Sequence, residues 1–395
     1  MKIVQITAVP YGSTGKIARG IADVARQCGH EVYIYYSWTK KLRKSNDPCV
    51  KVGAFLGKAL HIALSKITGY HGIFSKAETR RVIKWLDSIK PDVIHLHIMH
   101  CWYINLPMLF DYIKRNKIRV VWTFHDTWAF TGHCAYFQMV KCEKWKNGCC
   151  DCPQYKTEYP AVYVDRSQKM WQLKKEWFTG VDDLTVVTPS EWLAELVKTS
   201  MFKEYPVKVI NNGIDLDIFK PTESDFRRKY ACEEKFIILG VALGWSYRKG
   251  LDVVIELSKR LDSRYQIVLV GTDDDVDKLL PENIISIHRT QNQKELAEIY
   301  SAADVFINPT REDNFPTVNL EALACGTPVI TFKTGGSPEC IDDTCGAVVE
   351  CGDVDAMEEC LIRELDKKMY SSQNCVARSM RFDMRDRFFE YVNLY

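Results

Sequence analysis

Short apolar runs rich in β-branched residues alternate with longer stretches of helical period along the whole chain. In the first half, Lys2–Thr7, Glu31–Tyr36, Asp92–His97, Arg119–His125, Leu184–Thr188 and Val207–Asn211 read as strands. Gly15–Gly29, Ala77–Ile89, Asn105–Asn116 and Glu191–Lys198 carry helical spacing between them. Near-continuous apolar strands separated by helices predict right-handed βαβ units and a parallel sheet covered on both faces. The pattern then restarts, with strands over Lys235–Ala242, Gln266–Gly271, Ile284–His288, Asp304–Asn308, Pro328–Phe332 and Ala347–Glu350. Leu251–Leu261, Gln293–Ala302 and Val318–Ala324 are the helices of this second set.

Between the two sets lies a turn-rich hinge, Asn211-Asn212-Gly213-Ile214-Asp215 followed by Phe219-Lys220-Pro221. The reading is two doubly wound, Rossmann-like α/β domains, 1–214 and 215–378, with a helical segment over 379–395 that packs back on the first. Ligands of such sheets bind beyond the strand C-termini, so facing domains would put the site in the cleft between them.

Length supports two domains, since 395 residues exceed one ordinary core. Basic and acidic residues nearly cancel, 53 against 51, which excludes a global field for nucleic acid and leaves any anion to a local site. Met1-Lys2-Ile3-Val4-Gln5-Ile6 reads as a buried strand rather than a signal peptide, and no run reaches the roughly 18 apolar residues of a membrane span. The expected location is cytoplasmic, where the fifteen cysteines are thiols or metal ligands rather than disulfides.

Candidate chemistry concentrates in Pro309-Thr310-Arg311-Glu312-Asp313-Asn314-Phe315-Pro316-Thr317-Val318-Asn319-Leu320-Glu321-Ala322. A strand ends, a loop turns and a helix starts near Thr317, so free N–H groups would face a pyrophosphate or a sugar hydroxyl. Glu321, one turn in, is placed to accept hydrogen bonds from ribose. This stretch resembles the two-acid signature of the retaining glycosyltransferases of family 4, which have the GT-B fold. There two glutamates eight residues apart flank a Gly-Phe-Gly turn. Here Asp313 and Glu321 have that spacing around Asn314-Phe315-Pro316, and Glu312 is one residue out of register.

The resemblance extends along nearly the whole chain. Gly12-Ser13-Thr14-Gly15 stands where the family has its N-terminal loop, and His125-Asp126 where it has a histidine beside the transferring sugar. Thr188-Pro189-Ser190-Glu191-Trp192, the hinge, and Thr334-Gly335-Gly336-Ser337-Pro338-Glu339 match its later motifs. It implies that Lys249 neutralises the leaving diphosphate. Gly244 occupies the place of the family's arginine, and Arg248 is the substitute. Fixed cations there would stabilise charge that develops on the leaving group.

The resemblance thus implies a retaining hexosyltransferase using a nucleotide-diphosphate sugar, with no metal or other cofactor needed for catalysis. Glu321 would hold ribose; Asp313, Asn314, Phe315, Pro316 and Thr317 the donor sugar; Gly15, Gly335 and Gly336 the donor; Thr14 and Asp126 the acceptor side. The acceptor would be a saccharide or a lipid-linked one, in capsule, exopolysaccharide or glycolipid synthesis. A GT-B epimerase, a pyridoxal-phosphate phosphorylase and a non-catalytic sugar-binding protein are the rival classes.

Three features remain. Asp273-Asp274-Asp275 reads as a loop that caps the next helix rather than as a metal triplet. Cys134, Cys142, Cys149 and Cys152, with Cys150 as bystander, end in Cys-x2-Cys, which leaves open a structural zinc, isolated buried thiols or disulfides. Between Lys51 and Arg81, Phe55, Leu56, Leu60, Ile62, Leu64 and Ile67 mix with Lys51, Lys58 and Lys66, the spacing of a domain-surface helix or of a basic amphipathic one resting on the inner face of a membrane.

Overall fold

The computed structural model describes residues 1–37, 49–52, 55–158 and 160–395, with backbone only over 49–52. Among the described residues, thirteen strands form two wholly parallel sheets. The first comprises β1 (Lys2–Thr7), β2 (Glu31–Ser37), β3 (Cys49–Val52), β4 (Val93–Leu96), β5 (Arg119–Thr123), β6 (Leu184–Thr188) and β7 (Val207–Val209). The second comprises β8 (Phe236–Val241), β9 (Tyr265–Val270), β10 (Ile284–Ile287), β11 (Val305–Asn308), β12 (Val329–Phe332) and β13 (Gly346–Val349). Their orders, β3-β2-β1-β4-β5-β6-β7 and β10-β9-β8-β11-β12-β13, are the doubly wound pattern that the alternation predicts.

The predicted strands form within a residue or two of their expected limits. Among the described residues, β3 and the helices Phe55–Thr68, Ser167–Phe178, Val354–Lys367 and Ser372–Ser379 are among the elements that add to those expected. β5 stops at Thr123, so His125 and Asp126 sit in the loop beyond it instead of in the strand. Burial explains why the strands lack alternation: Val120 to Thr123 of β5 and all of β11 are covered on both faces. Trp122 is the hub of the first core, with Phe110, Phe124, Phe178 and Phe202 ringing it at centroid distances of 5.4, 5.0, 4.9 and 5.7 Å. Burying each such ring contributes roughly 1.5–3 kcal/mol.

Two compact units result, Met1–Asn211 with Arg387–Tyr395, and Asn212–Asp386. The division differs from 214/215 and 378/379 for a local reason. Ile214 donates its N–H to Phe382 O and accepts from Met384 N–H, both at 2.9 Å, which ties the hinge and residues 379–386 to the second unit. From Arg387 onward the chain belongs to the first unit: Tyr395 Oη meets His95 Nδ1 at 2.7 Å, and Tyr391 stacks on the same imidazole.

Gly271 ends β9 at φ +89°, where a Cβ would lie 1.7 Å from Ala242 O; Gly352 has the same φ with nothing within 4 Å. Gly271→Ala should therefore cost more than about 2 kcal/mol and Gly352→Ala about 1 kcal/mol, read as denaturation midpoints. Equal losses would mean that the close approach is relieved by a backbone shift.

Candidate functional site

In the second unit, the loops after β8 and β11 are bound together. Tyr247–Lys249 forms a single 3-10 turn, and Gly250, at φ +79°, lets the chain enter the Leu251–Arg260 helix. A side chain at Gly250 would strike Pro309 O at 2.3 Å, so glycine allows the two loops to touch. Arg311 N–H donates to Arg248 O at 2.8 Å, and the Arg311 guanidinium covers the Tyr247 ring at 3.9 Å while gripping Asp252 with two bonds of 2.8 and 2.7 Å. Arg311 is thus a brace for the basic turn. The planar, always-charged fork suits both contacts at once.

The brace leaves Lys249 Nζ 2.7 Å from Asp313 Oδ2, with both side chains about one fifth exposed. Beneath them, Gly335 lies where a Cβ would meet Asp313 O at 1.7 Å, and Thr334 Oγ1 donates to Arg311 O at 2.8 Å. The glycine loop therefore cradles the acidic loop. Glu312 is buried, whereas Asp313 faces the lysine. Asn314 and Phe315 are buried, and Phe315 O accepts from Asn212 Nδ2 at 3.1 Å.

The Thr317–Ala324 helix then opens after Pro316 with no side-chain cap and no acid in its first turn. Glu321 Oε2 accepts from Tyr300 Oη at 3.2 Å, so a buried phenol orients this carboxylate. Gly244, at φ +82°, is exposed and replaces no cation. Asp273 caps the Asp274–Asp277 turn by accepting from Asp275 and Val276 N–H, and Asp277 accepts from Ser286 Oγ and contacts His288 Nε2. The triplet caps a helix.

In the first unit, Thr14 and Gly15 lie in the opening turn of the Gly12–Gln27 helix, where a Cβ on Gly15 would meet the Pro10 carbonyl carbon at 2.6 Å. His125 and Asp126 border a pocket with His97, His100, Trp122 and Trp128. His97 Nδ1 and His125 Nε2 are 3.2 Å apart with stacked rings, and His95 lies 4.1 Å from His97. His100 Nε2 pairs with Asp126 Oδ2 at 2.8 Å. Burial disfavours a charge on His100, but the Asp126 carboxylate outweighs it and pushes the imidazole up to about 10. His125 is pushed down to about 4, chiefly by burial. One histidine of the pocket is a cation and its neighbours are neutral.

Profile comparison decides the family. Residues 15–218 match the model described as "Glycosyltransferase Family 4" and residues 234–367 that described as "Glycosyl transferases group 1". The chain belongs to glycosyltransferase family 4. Sucrose-phosphate synthase from Thermosynechococcus elongatus superposes with a TM-score of 0.72 at 16% identity, covering 100% of this chain and 98% of that one. Anabaena HepE in complex with UDP-glucose superposes at 0.69 and 15%, over 100% and 99%. These neighbours establish the GT-B fold.

The putative colanic acid biosynthesis glycosyl transferase WcaC of Escherichia coli is 26% identical over 66% of this chain and 64% of its own length. A GDP-mannose-dependent phosphatidylinositol monomannoside mannosyltransferase of Corynebacterium glutamicum is 29% identical over 48% of this chain and 54% of its own. The matched regions therefore span less than two thirds of both relatives.

In this family 4 glycosyltransferase, the structure brings Lys249, Asp313, Gly335 and the start of the Thr317 helix together in one unit, and His125 and Asp126 in the other. Sequence reading missed Tyr300, Arg311, His97 and His100. The signal available for the histidines was their spacing, His95-Leu96-His97 and His100, at the end of a predicted strand. Tyr300 and Arg311 carry no local signature.

The buried histidines of the first unit set a pH dependence. His61 and His95 are pushed down to about 3 and His133 and His125 to about 4, all chiefly by burial. Below their ordinary value of 6.5 the unfolded chain gains protons that the folded one refuses, so stability falls from pH 6.5 toward 4, by up to about 1.4 kcal/mol per pH unit for each such group. His100 acts oppositely: its contribution is complete below 6.5 and is lost as pH rises through about 10. Urea midpoints should be lower at pH 5 and at pH 9 than near pH 7, and His100→Asn should flatten the alkaline limb. A midpoint unchanged between pH 7 and 5 would show the buried histidines to be charged.

Proposed function

We propose that this glycosyltransferase is a retaining hexosyltransferase that moves a sugar from a nucleotide-diphosphate donor to a lipid-linked saccharide, without a catalytic metal. The observation that carries the donor reading is the Lys249–Asp313 pair beside the uncapped Thr317 helix. Breaking the bond between the anomeric carbon and the diphosphate leaves charge on the phosphate oxygens. Lys249, with Arg248 beside it, offers positive charge there, while helix N–H groups at Thr317 add partial positive charge. Glu321, oriented by Tyr300, accepts from the ribose hydroxyls, and Asp313 to Thr317 hold the sugar. In the first unit His125 and Asp126, in the loop beyond β5, lie on the acceptor side. A neutral imidazole can both donate to and accept from a hydroxyl. The named chemistry of HepE with UDP-glucose and of the GDP-mannose-dependent relative supports a nucleotide-sugar donor.

Transfer should persist in excess EDTA, and Lys249→Ala should slow it by about 10²-fold or more. Activity that vanishes in EDTA and returns with Mg²⁺ would overturn metal independence. A near-native rate for the variant would place the diphosphate elsewhere. Donor conversion that proceeds equally well with no acceptor would identify an epimerase.

The lipid-linked acceptor rests on the Phe55–Thr68 helix. It buries His61 and Ser65 and exposes Leu56 (76%), Leu60 (60%) and Ile67 (62%), the reverse of a water-facing helix. These residues share one face, and Tyr163, 68% exposed, is tied beside them by its N–H to Lys66 O at 2.8 Å. Apolar residues with an exposed lysine at Lys66 suit the headgroup boundary of an anionic bilayer; the Lys51 side chain and residues 53–54 lie outside those described. The protein should co-sediment with anionic vesicles, less so as salt rises, and Leu56→Glu/Leu60→Glu should abolish this. Absence of binding to anionic vesicles would remove the membrane from the proposal.

A further inference from the structure

The segment from Phe124 to Arg166, between β5 and the Ser167–Phe178 helix, holds about forty residues with one three-residue 3-10 turn as its regular structure. Such a segment has few backbone ladders to fix it, yet it buries Phe130, Cys134, Phe137, Trp145 and Cys149. Cys134, Cys142, Cys149 and Cys152 all border one small cavity, which has about 10 Å³ of room, enough for roughly one water-sized sphere. The Cys134 and Cys152 thiols are in hydrogen-bonding contact, and Cys149 lies close enough to Cys134 and Cys142 to sense a charge on either. As the side chains stand, no three described donors converge on a point. Each thiol has a single χ1 torsion to turn, however, and the cavity they share is their common neighbour.

The backbone around the thiols is fixed. Gly132 N–H donates to Cys149 Sγ at 3.1 Å, the kind of bond that stabilises a thiolate. Cys152 N–H donates to Asp165 Oδ2 at 2.8 Å, and Lys144 Nζ holds the carbonyls of Cys150 and Asp151 at 3.1 and 3.0 Å. The fully buried Lys174 lies beside the thiols. Its Nζ donates to Trp128 O and Thr131 O at 2.7 and 2.9 Å and lies 3.5 Å over the Trp128 ring, and among the described residues no carboxylate pairs with it. Burial pushes its pKa well below the ordinary lysine value, while Cys149, Cys134 and Asp126 act in the other direction. A thiolate site beside this amine would favour its protonated form, which neutral thiols do not.

We propose that Cys134, Cys142, Cys149 and Cys152 bind one structural Zn²⁺ as a tetrathiolate site that fixes this segment. On binding, the four thiols release four protons and four Zn–S bonds form, leaving a site of net charge −2. Lys174 then balances part of that charge. The room for a single sphere fits one ion rather than an iron–sulfur cluster. Cys-x2-Cys supplies the tight half of the site and the wider Cys134 and Cys142 pair closes it. The site is closed, with no open position for chemistry, so its role is to hold the loop that follows His125 and Asp126.

Protein purified without chelators and desalted should contain about one zinc per chain by elemental analysis and be colourless. Cys149→Ser/Cys152→Ser should lower that content at least about fivefold, while Cys150→Ser retains it. Should the double variant not fold, the wild-type metal count still decides. So does replacement of zinc by Co²⁺, which should give the intense visible bands of tetrahedral cobalt thiolate. Folded, zinc-free protein whose four thiols all react with a thiol reagent would overturn the proposal. An intact mass two protons lighter per bridge would replace the site with disulfides. Iron with visible absorption would replace zinc with a redox centre.

Discussion

In the second unit β8 hydrogen-bonds to β11, although β9 and β10 lie between them in sequence, and this one reversal of strand order governs the candidate site there. It sets the loops after the two strands side by side, where no intervening strand separates them. Gly250 against Pro309, the Arg311 brace and the Lys249–Asp313 pair are consequences of that adjacency. The same reversal between β1 and β4 in the first unit brings the Gly12–Gly15 turn and the end of β4 to one sheet edge. Each unit thus carries its polar residues at the reversal, and its apolar strands stay sealed beneath.

Placing charge at that edge requires supports that are not themselves ligands. Arg311 spends its guanidinium on Asp252 and Tyr247, and Tyr300 spends its hydroxyl on Glu321. Both fix a neighbour's direction without competing for a ligand. In the first unit the division of labour is between protonation states. Asp126 holds His100 charged, while burial keeps His125 and His95 neutral. A wall of imidazoles can therefore include a cation without becoming a repulsive cluster. The C-terminal residues serve this wall as well, since Tyr395 fixes Nδ1 of His95 and Thr123 its Nε2.

The long segment after β5 follows a different logic. It obtains order from side chains rather than from ladders: Trp145, the thiols, Asp165 and Lys174 each bind backbone or ring atoms from another turn. The Phe55–Thr68 helix is the opposite case, fully regular in backbone but turned so that its apolar face has no cover among the described residues.

The sequence by itself determined the two parallel sheets, because strands buried on both faces must be apolar throughout, and their alternation with helices admits few topologies. It also singled out Asp313 and Glu321 as candidates, since their spacing lies across one strand–loop–helix junction, which is local. It identified four cysteines without saying that they share a cavity, because residues 134 to 152 have no period that fixes their mutual distance. What the tertiary structure decided was long-range. His95, His97, His100 and His125 meet because β4 pairs with β5, and Tyr300 reaches Glu321 because one helix lies on another. The first unit runs to Asn211, and Ile214 is tied to Asp383 far along the chain. Local spacing is written in the order of residues, whereas the partner of a buried polar group is chosen by packing.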